Sequence, residues 1–277
     1  MLLISEMNIT QNQRMILDNL HCVRISSRPN AIRLVEDFHN PQNEVLVDYI
    51  KGDAFEEDAS GKAACYIILD SDEDILCYFA LKSGLLYDEF HEWREYEKYK
   101  KINNILKDRI AKTNSKEAKI LLTENEKKLQ KAQDNLKKII GIIEAFPLHK
   151  QVDRSYSAIE LSHFCVNEKC RKKWEEYGFD DRNRMGITLF WNFIIEKVIQ
   201  VSELVGCEFL YLFAADSTPD HFLVNHYKGF MGFREDLKVL SLQPKFDFRC
   251  TFLCNTIEAF KVGKDSFFAH FNDADLA

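Results

Sequence analysis

Apolar and polar positions alternate along the chain in ways that predict a series of short elements. Asn8 to Leu20 repeats its apolar residues at helical spacing and predicts an amphipathic helix, and His21 to Ser26 predicts a strand. Ala31 to Phe38 and Glu44 to Tyr49 predict two further short helices, parted by Asn40-Pro41. The acidic stretch Asp53-Ala-Phe-Glu-Glu-Asp58 reads as a solvated loop ahead of a turn at Ser60-Gly61; its sharper reading is an electrostatic lure for a cationic amine. Ala63 to Leu69 and Ile75 to Leu81 are apolar runs joined by Asp70-Ser-Asp-Glu-Asp74, which predicts a β-hairpin.

After Ser83-Gly84 the pattern changes. Glu89 to Phe146 contains no proline, is rich in Lys, Glu, Leu and Ile, and is interrupted at Lys112-Thr-Asn-Ser-Lys116. That composition predicts a helical hairpin. Leu122, Leu129, Leu136 and Ile143 recur every seven residues, with Ala118, Asn125, Ala132 and Ile139 at the complementary position and Tyr96, Tyr99, Leu106 and Ile110 as the facing stripe. The division is therefore 1–88, a coiled-coil-like arm at 89–146, and 147–277. Packing of the arm on itself is the first use of such a stripe; self-association or partner docking is the functional alternative.

The third part is the most informative. Ala158 to Val166 alternates as a strand, a polar loop follows, and Gly186 precedes one long amphipathic segment from Ile187 to about Leu204. Phe209 to Ala215 is almost wholly apolar, and a second helical pattern ends at Gly232-Phe233. The order is strand, loop, helix, strand, helix. Lys238 to Leu242 and Phe246 to Cys254 predict a closing antiparallel pair, and Phe267, Phe268 and Phe271 predict a tail that docks.

Arg182, Arg184 and Gly186, set where a loop opens into a helix, combine unpaired backbone N–H groups, the positive end of a helix dipole and two guanidinium groups, which suits a pyrophosphate. Parallel strands joined through that helix can diverge and leave a slot beside exposed backbone.

In "AIELSHFCVN", "NRMGITLFWNFI", "CEFLYLFAAD" and "HFLVNHYKGFMGF" the chain resembles the GNAT superfamily of acetyl-CoA-dependent N-acetyltransferases, through the order and spacing of four stretches. The resemblance implies an α/β fold: a mixed, mainly antiparallel sheet flanked by helices, here with an inserted long helical hairpin. It also implies acetyl transfer from acetyl-CoA to an amine by direct attack in a ternary complex. Asn183-Arg-Met-Gly186-Ile-Thr188 keeps only the first glycine of the family's phosphate loop, and the loop from Val166 to Gly186 is longer than usual. The rival is a degenerate CoA-binding fold acting as an interaction module through its arm.

Carried over position by position, the resemblance implies Glu160 as the base and Tyr227 as the acid that protonates the departing thiolate. It implies that backbone groups of Phe164, Cys165 and Val166 hold the pantetheine arm, with Asn225 hydrogen-bonding it, and that Arg182, Arg184, Met185, Gly186, Ile187 and Thr188 hold the pyrophosphate. Strict alternation puts His163 on the opposite face from Glu160, as a core or hydrogen-bonding residue. Cys165, on a strand, is expected to be an unactivated thiol.

Composition narrows the classes. With 277 residues and 46% hydrophobic content the chain can bury a sizeable core. The eight cysteines sit mainly in apolar runs at spacings that fit neither a disulfide framework nor zinc, so free thiols and no metal are expected. The first residues lack the basic flank of a secretory signal, and a cytoplasmic location is the default. A net charge of -7 weighs against a broad nucleic-acid footprint, which leaves an amine-bearing small molecule or a protein as acceptor. The arm carries 14 basic and 10 acidic residues, so the basic excess is confined to it.

Overall fold

The computed structural model describes residues 10–88, 91–112, 119–145, 154–179, 184–216, 218–235, 237–242 and 250–268. They fall into two units. The first holds residues up to Leu86 together with Tyr156–Leu237 and the residues from Ser241 onward; the second holds Tyr87–Ser155 and Lys238–Leu240.

The first unit opens with helix α1 (Gln11–Asp18), started by a reciprocal cap in which Thr10 Oγ1 accepts from the Gln13 N–H and Gln13 Oε1 accepts from the Thr10 N–H. Strand β1 (His21–Arg24) follows, then α2 (Ala31–Val35), α3 (Glu44–Lys51) and α4 (Ala54–Ala59). Strands β2 (Ala64–Leu69) and β3 (Ile75–Asp88) pair antiparallel, and β1 pairs antiparallel with β2. The apolar run Ile75–Leu81 is buried throughout, as a strand covered on both faces must be.

Strand β4 (Ser155–Val166) leads through α7 (Arg171–Glu176) to one long helix in three parts: α8 (Met185–Leu189), a π-helical stretch (Phe190–Ile194) and α9 (Ile195–Val205). Gly206, in the left-handed conformation, ends it. Strand β5 (Phe209–Ala215), α10 (Phe222–Phe230), β7 (Cys250–Thr256) and α11 (Ile257–Phe268) complete the unit. The sheet order is β1-β2-β3-β4-β5-β7. One core, containing Leu76, Phe79, Ile159, Leu161, Trp191, Leu210 and Phe260, covers one face; a second, containing Val35, Phe38, Ile50, Cys65 and Tyr78, covers part of the other.

In the second unit α5 (His91–Lys112) and α6 (Lys119–Ala145) form the expected hairpin, with Leu106 and Ala132 buried. Of the predicted stripe, Ala118 and the side chains of Ile110, Leu122 and Ile143 lie outside the described residues. Two-residue strand β6 (Val239–Leu240) pairs antiparallel with Tyr87 and Asp88 at the end of β3.

Three expectations are corrected. Asp53–Asp58 is not a solvated loop: it supplies α4, and Asp58 is 3% exposed, accepting from the Arg24 side chain at 2.6 Å and the Ser26 and Cys65 N–H groups at 3.0 and 2.8 Å. A buried carboxylate with three donors is a brace and cannot act as a lure. The predicted closing pair is split, since β6 pairs with β3 and β7 with β5. The third concerns β4 and is taken up with the site. The docked tail holds as far as it is described: α11 buries Phe267, while Phe271 lies outside the described residues.

Five of the eight cysteines are buried: Cys65, Cys77, Cys165, Cys170 and Cys254. The one described group of carboxylates close enough to share an ion, Asp70, Asp72 and Asp74, already surrounds the Lys173 ammonium at 2.6 to 2.8 Å. No described helix is long and apolar enough to cross a membrane.

Candidate functional site

The parallel pairing of β4 with β5 is short. It registers Ala158, Ile159 and Glu160 with Phe209, Leu210 and Tyr211, after which β4 continues to Val166 and β5, paired to β7 on its other side, continues to Ala215. The strands part where the register ends. Backbone from Leu161 to Val166 is left facing the gap.

The start of α8 sits beside the far end of this gap. A β-carbon added to Gly186 lies 3.4 Å from Val166 Cγ1 and 3.6 Å from Phe164 Cζ, ordinary contact distances, so the helix start lies directly beside the strand. Among the described residues no side chain caps this helix start. Its first N–H groups are therefore available to an anion. Arg184 is its exposed N-cap residue, and its charge reaches His226 on α10, where it joins burial in lowering that imidazole's pKa.

Strand β4 contains a bulge. The backbone bond from Asn167 N–H to the Leu76 carbonyl and that from Asp88 N–H to the Arg154 carbonyl enclose one more residue on β4 than on β3. Side chains agree: Ile159, Leu161, Phe164 and Val166 all pack on one core, and Cys165 packs on the other. Alternation slips between Leu161 and Phe164. The bulge therefore brings His163 to the same face as Glu160, against the strict alternation expected from the sequence.

Glu160 is half-buried. Its carboxylate accepts from the Tyr211 hydroxyl at 3.3 Å. Burial raises its pKa, while the Tyr211 bond and the Lys82 charge oppose that rise. Burial and the Glu160 charge push the Tyr211 phenol up to about 12. Gly84 makes room for Tyr211, since a β-carbon there falls 2.4 Å from Tyr211 Cε1 and Oη.

Tyr227 comes from α10, and α10 is set by the residues after β5. Asp216 accepts from the Val224 N–H at 3.0 Å and from the Thr218 N–H and hydroxyl at 2.9 and 2.6 Å, holding the helix start to the strand end. The Tyr227 ring meets Phe233 edge-on at 5.8 Å. Its phenol lies within electrostatic reach of the Cys165 and Cys77 thiols, and burial raises its pKa. Among the described residues the hydroxyl has no hydrogen-bond partner.

The other predicted positions are placed unevenly. Met185 and Ile187 are buried in the core and can offer an anion only backbone. Thr188 is fully enclosed: its N–H donates to the Arg184 carbonyl at 3.0 Å, and its hydroxyl has no partner among the described residues. Asn225 donates to the Asp220 carbonyl at 2.9 Å. The Val166 carbonyl accepts from Asn40 at 3.2 Å, and the same amide donates to Cys165 Sγ at 3.4 Å. Burial pushes that thiol up to about 12, so it is protonated and unreactive. Arg182 lies outside the described residues. A cavity of about 380 Å³, lined by Arg171, Trp174, Phe179, Arg184 and Met185 among others, adjoins the α8 start. Sequence reasoning missed Tyr211 and Lys82; the register of Tyr211 with Glu160 was a signal only once both strands were aligned.

No protein-family model matches the chain, and no curated protein does. Among solved structures, a mutant of the toxin AtaT is similar at TM-score 0.48 and 12% identity over 88% of this chain and 93% of that one. AtaT complexed with acetyl-methionyl-tRNAfMet (TM-score 0.46, 11% identity) and AtaTR bound with AcCoA (TM-score 0.46, 12% identity) each match over 88% of this chain and 98% of theirs. Similarity at this level is too low to bear on function.

Proposed function

We propose that the chain is an N-acetyltransferase of the GNAT type, moving an acetyl group from acetyl-CoA to an amine on a small molecule or a protein. The observation that carries this reading is the three-residue parallel register of β4 and β5 with a helix start, uncapped among the described residues and set against β4 at Gly186, beside the splayed end. The pantetheine arm fits the gap as an extra strand along Leu161–Val166, and the pyrophosphate fits the N–H groups of Met185, Gly186 and Ile187 near Arg184. Acetyl-CoA supplies the activated thioester. Glu160, raised by burial, takes a proton from the acceptor ammonium directly or through water, and Tyr227 from the other face of the sheet gives a proton to the departing thiolate.

The enclosed Thr188 hydroxyl favours a second reading, a fold that binds CoA without transferring from it. Calorimetric titration with acetyl-CoA, followed by CoA release over a panel of primary amines, separates the two. Micromolar binding with turnover that Tyr227→Phe slows at unchanged affinity supports transfer. Binding without turnover supports the second reading, and absence of binding to acetyl-CoA and to CoA rejects both.

A further inference from the structure

The face of the sheet that carries Glu160 also holds His163, whose Nδ1 meets a serine hydroxyl. Ser162 donates its one hydroxyl proton to the Ala80 carbonyl at 3.2 Å and lies 3.1 Å from His163 Nδ1. With the hydroxyl proton spent on that carbonyl, Ser162 Oγ faces the ring as an acceptor, and this pairing assigns the proton to Nδ1 and the lone pair to Nε2. The imidazole lies flat on Tyr49, centroids 3.6 Å and planes 1° apart, which fixes the plane of the ring. Nε2 has no partner among the described residues and is not among their fully enclosed unpaired atoms.

The surroundings form a connected set. Tyr49 of α3 donates to Glu57 of α4 at 3.0 Å and meets Cys65 Sγ of β2 at 3.2 Å; Lys82 of β3 pairs with Glu57 at 3.3 Å. Lys82 also acts on both His163 and Glu160, so these groups share one electrostatic neighbourhood. Burial and Lys82 hold the imidazole down at about 4 against the pull of Glu57, which leaves it neutral at physiological pH.

We propose that His163 is a second proton acceptor in the transfer site, receiving through Nε2 the proton released by the attacking nucleophile, beside Glu160 and on the same face. This rests on the acetyl-transfer reading. An acceptor ammonium first loses a proton to Glu160. Its nitrogen then bonds to the thioester carbon, and the tetrahedral species carries one surplus proton on nitrogen, far more acidic than a free ammonium. A weak base suffices for that proton, and His163 takes it and passes it to water. The C–S bond breaks, the thiolate takes a proton from Tyr227, and one proton is released overall. Two bases on one face divide the work.

The test uses hydroxylamine as probe nucleophile, since it is small and uncharged at neutral pH, with acetohydroxamate as the measured product. The full chain, His163→Phe, which keeps a ring on Tyr49, and Ser162→Ala, which keeps the imidazole but frees its tautomer, are each titrated with acetyl-CoA and assayed. The expected result is unchanged acetyl-CoA affinity in all three, transfer reduced about 100-fold in His163→Phe and less in Ser162→Ala. Nitrogen-15 spectra of the histidine rings are expected to show Nδ1–H for His163 in the wild type and a mixture in Ser162→Ala. Wild-type binding with equal transfer by His163→Phe overturns the proposal and leaves the acetyltransferase reading intact, as does an Nε2–H wild-type ring; binding with no acetohydroxamate above the uncatalysed rate overturns the proposal and favours the fold that binds CoA without transfer. Absence of acetyl-CoA binding in the wild type overturns the acetyltransferase reading and this proposal with it.

Discussion

Gly186 allows the cofactor site to be tested by two substitutions at one atom. A β-carbon at this position meets Val166 Cγ1 at 3.4 Å and Phe164 Cζ at 3.6 Å, ordinary contacts, and the backbone there is helical, so alanine fits. Gly186→Ala is expected to stabilise the fold by about 0.5–1 kcal/mol through helix propensity and a less mobile unfolded chain. Acetyl-CoA affinity should then change by less than about threefold. Gly186→Glu sends a carboxylate over the same atoms, into the place of the pyrophosphate. Two like charges about 4 Å apart at an effective dielectric of about 20 repel by about 4 kcal/mol, a loss of about 1000-fold in Kd. Calorimetry with acetyl-CoA reads both variants, and thermal unfolding confirms that both are folded. A folded Gly186→Glu that binds like the wild type refutes the placement of the phosphates. Equal loss in Gly186→Ala shows that space, and not charge, governs the position.

Asp58→Ala leaves the Ser26 and Cys65 N–H groups and the half-exposed Arg24 guanidinium without their acceptor, and is expected to cost about 3 kcal/mol in urea unfolding. His163 makes a pH prediction: the unfolded chain protonates it near its ordinary value of about 6.5 and the native state only at about 4. Its contribution is therefore full above the unfolded value and is lost as pH falls toward the folded one, up to about 3 kcal/mol. The difference in unfolding free energy between wild type and His163→Phe should narrow or invert across that window. Asp88 N–H donates to the Arg154 carbonyl at 3.1 Å, so the ends of the arm are adjacent. Replacing Glu89–Phe146 by a short Gly/Ser linker should leave one cooperative thermal transition in the remainder; non-cooperative melting refutes the independence of the first unit.

Where the sequence carried a period, the elements were legible. The two helices of the arm, the apolar runs of β2, β3 and β5, and the helix after Gly186 all stand where their patterns put them. Features that depend on one residue's direction were not. A bulge adds a single position, and the letters of β4 read as alternating with or without it, so His163 was assigned to the wrong face. Asp53–Asp58 is dense in carboxylates, and charge outweighed the spacing of Ala54 and Asp58, which share the buried face of α4. The pairing of β6 with β3 is a long-range choice that no local pattern encodes.

The π-helical stretch Phe190–Ile194 places one residue too many between α8 and α9. Trp191 within it is 1% exposed, donates to the Phe230 carbonyl at 3.0 Å and presses so close to α11 that a β-carbon on Gly263 falls 2.7 Å from its ring. Each helical residue turns the axis by about 100°, so the extra one sets the two halves of the helix out of phase. With α9 anchored by Ile195 and Val198, deleting any one residue of the stretch restores a regular ladder but swings Gly186 away from Val166. The helix therefore tolerates changes of letter far better than changes of count, and an insertion or deletion here acts on the phosphate end of the slot as a rotation.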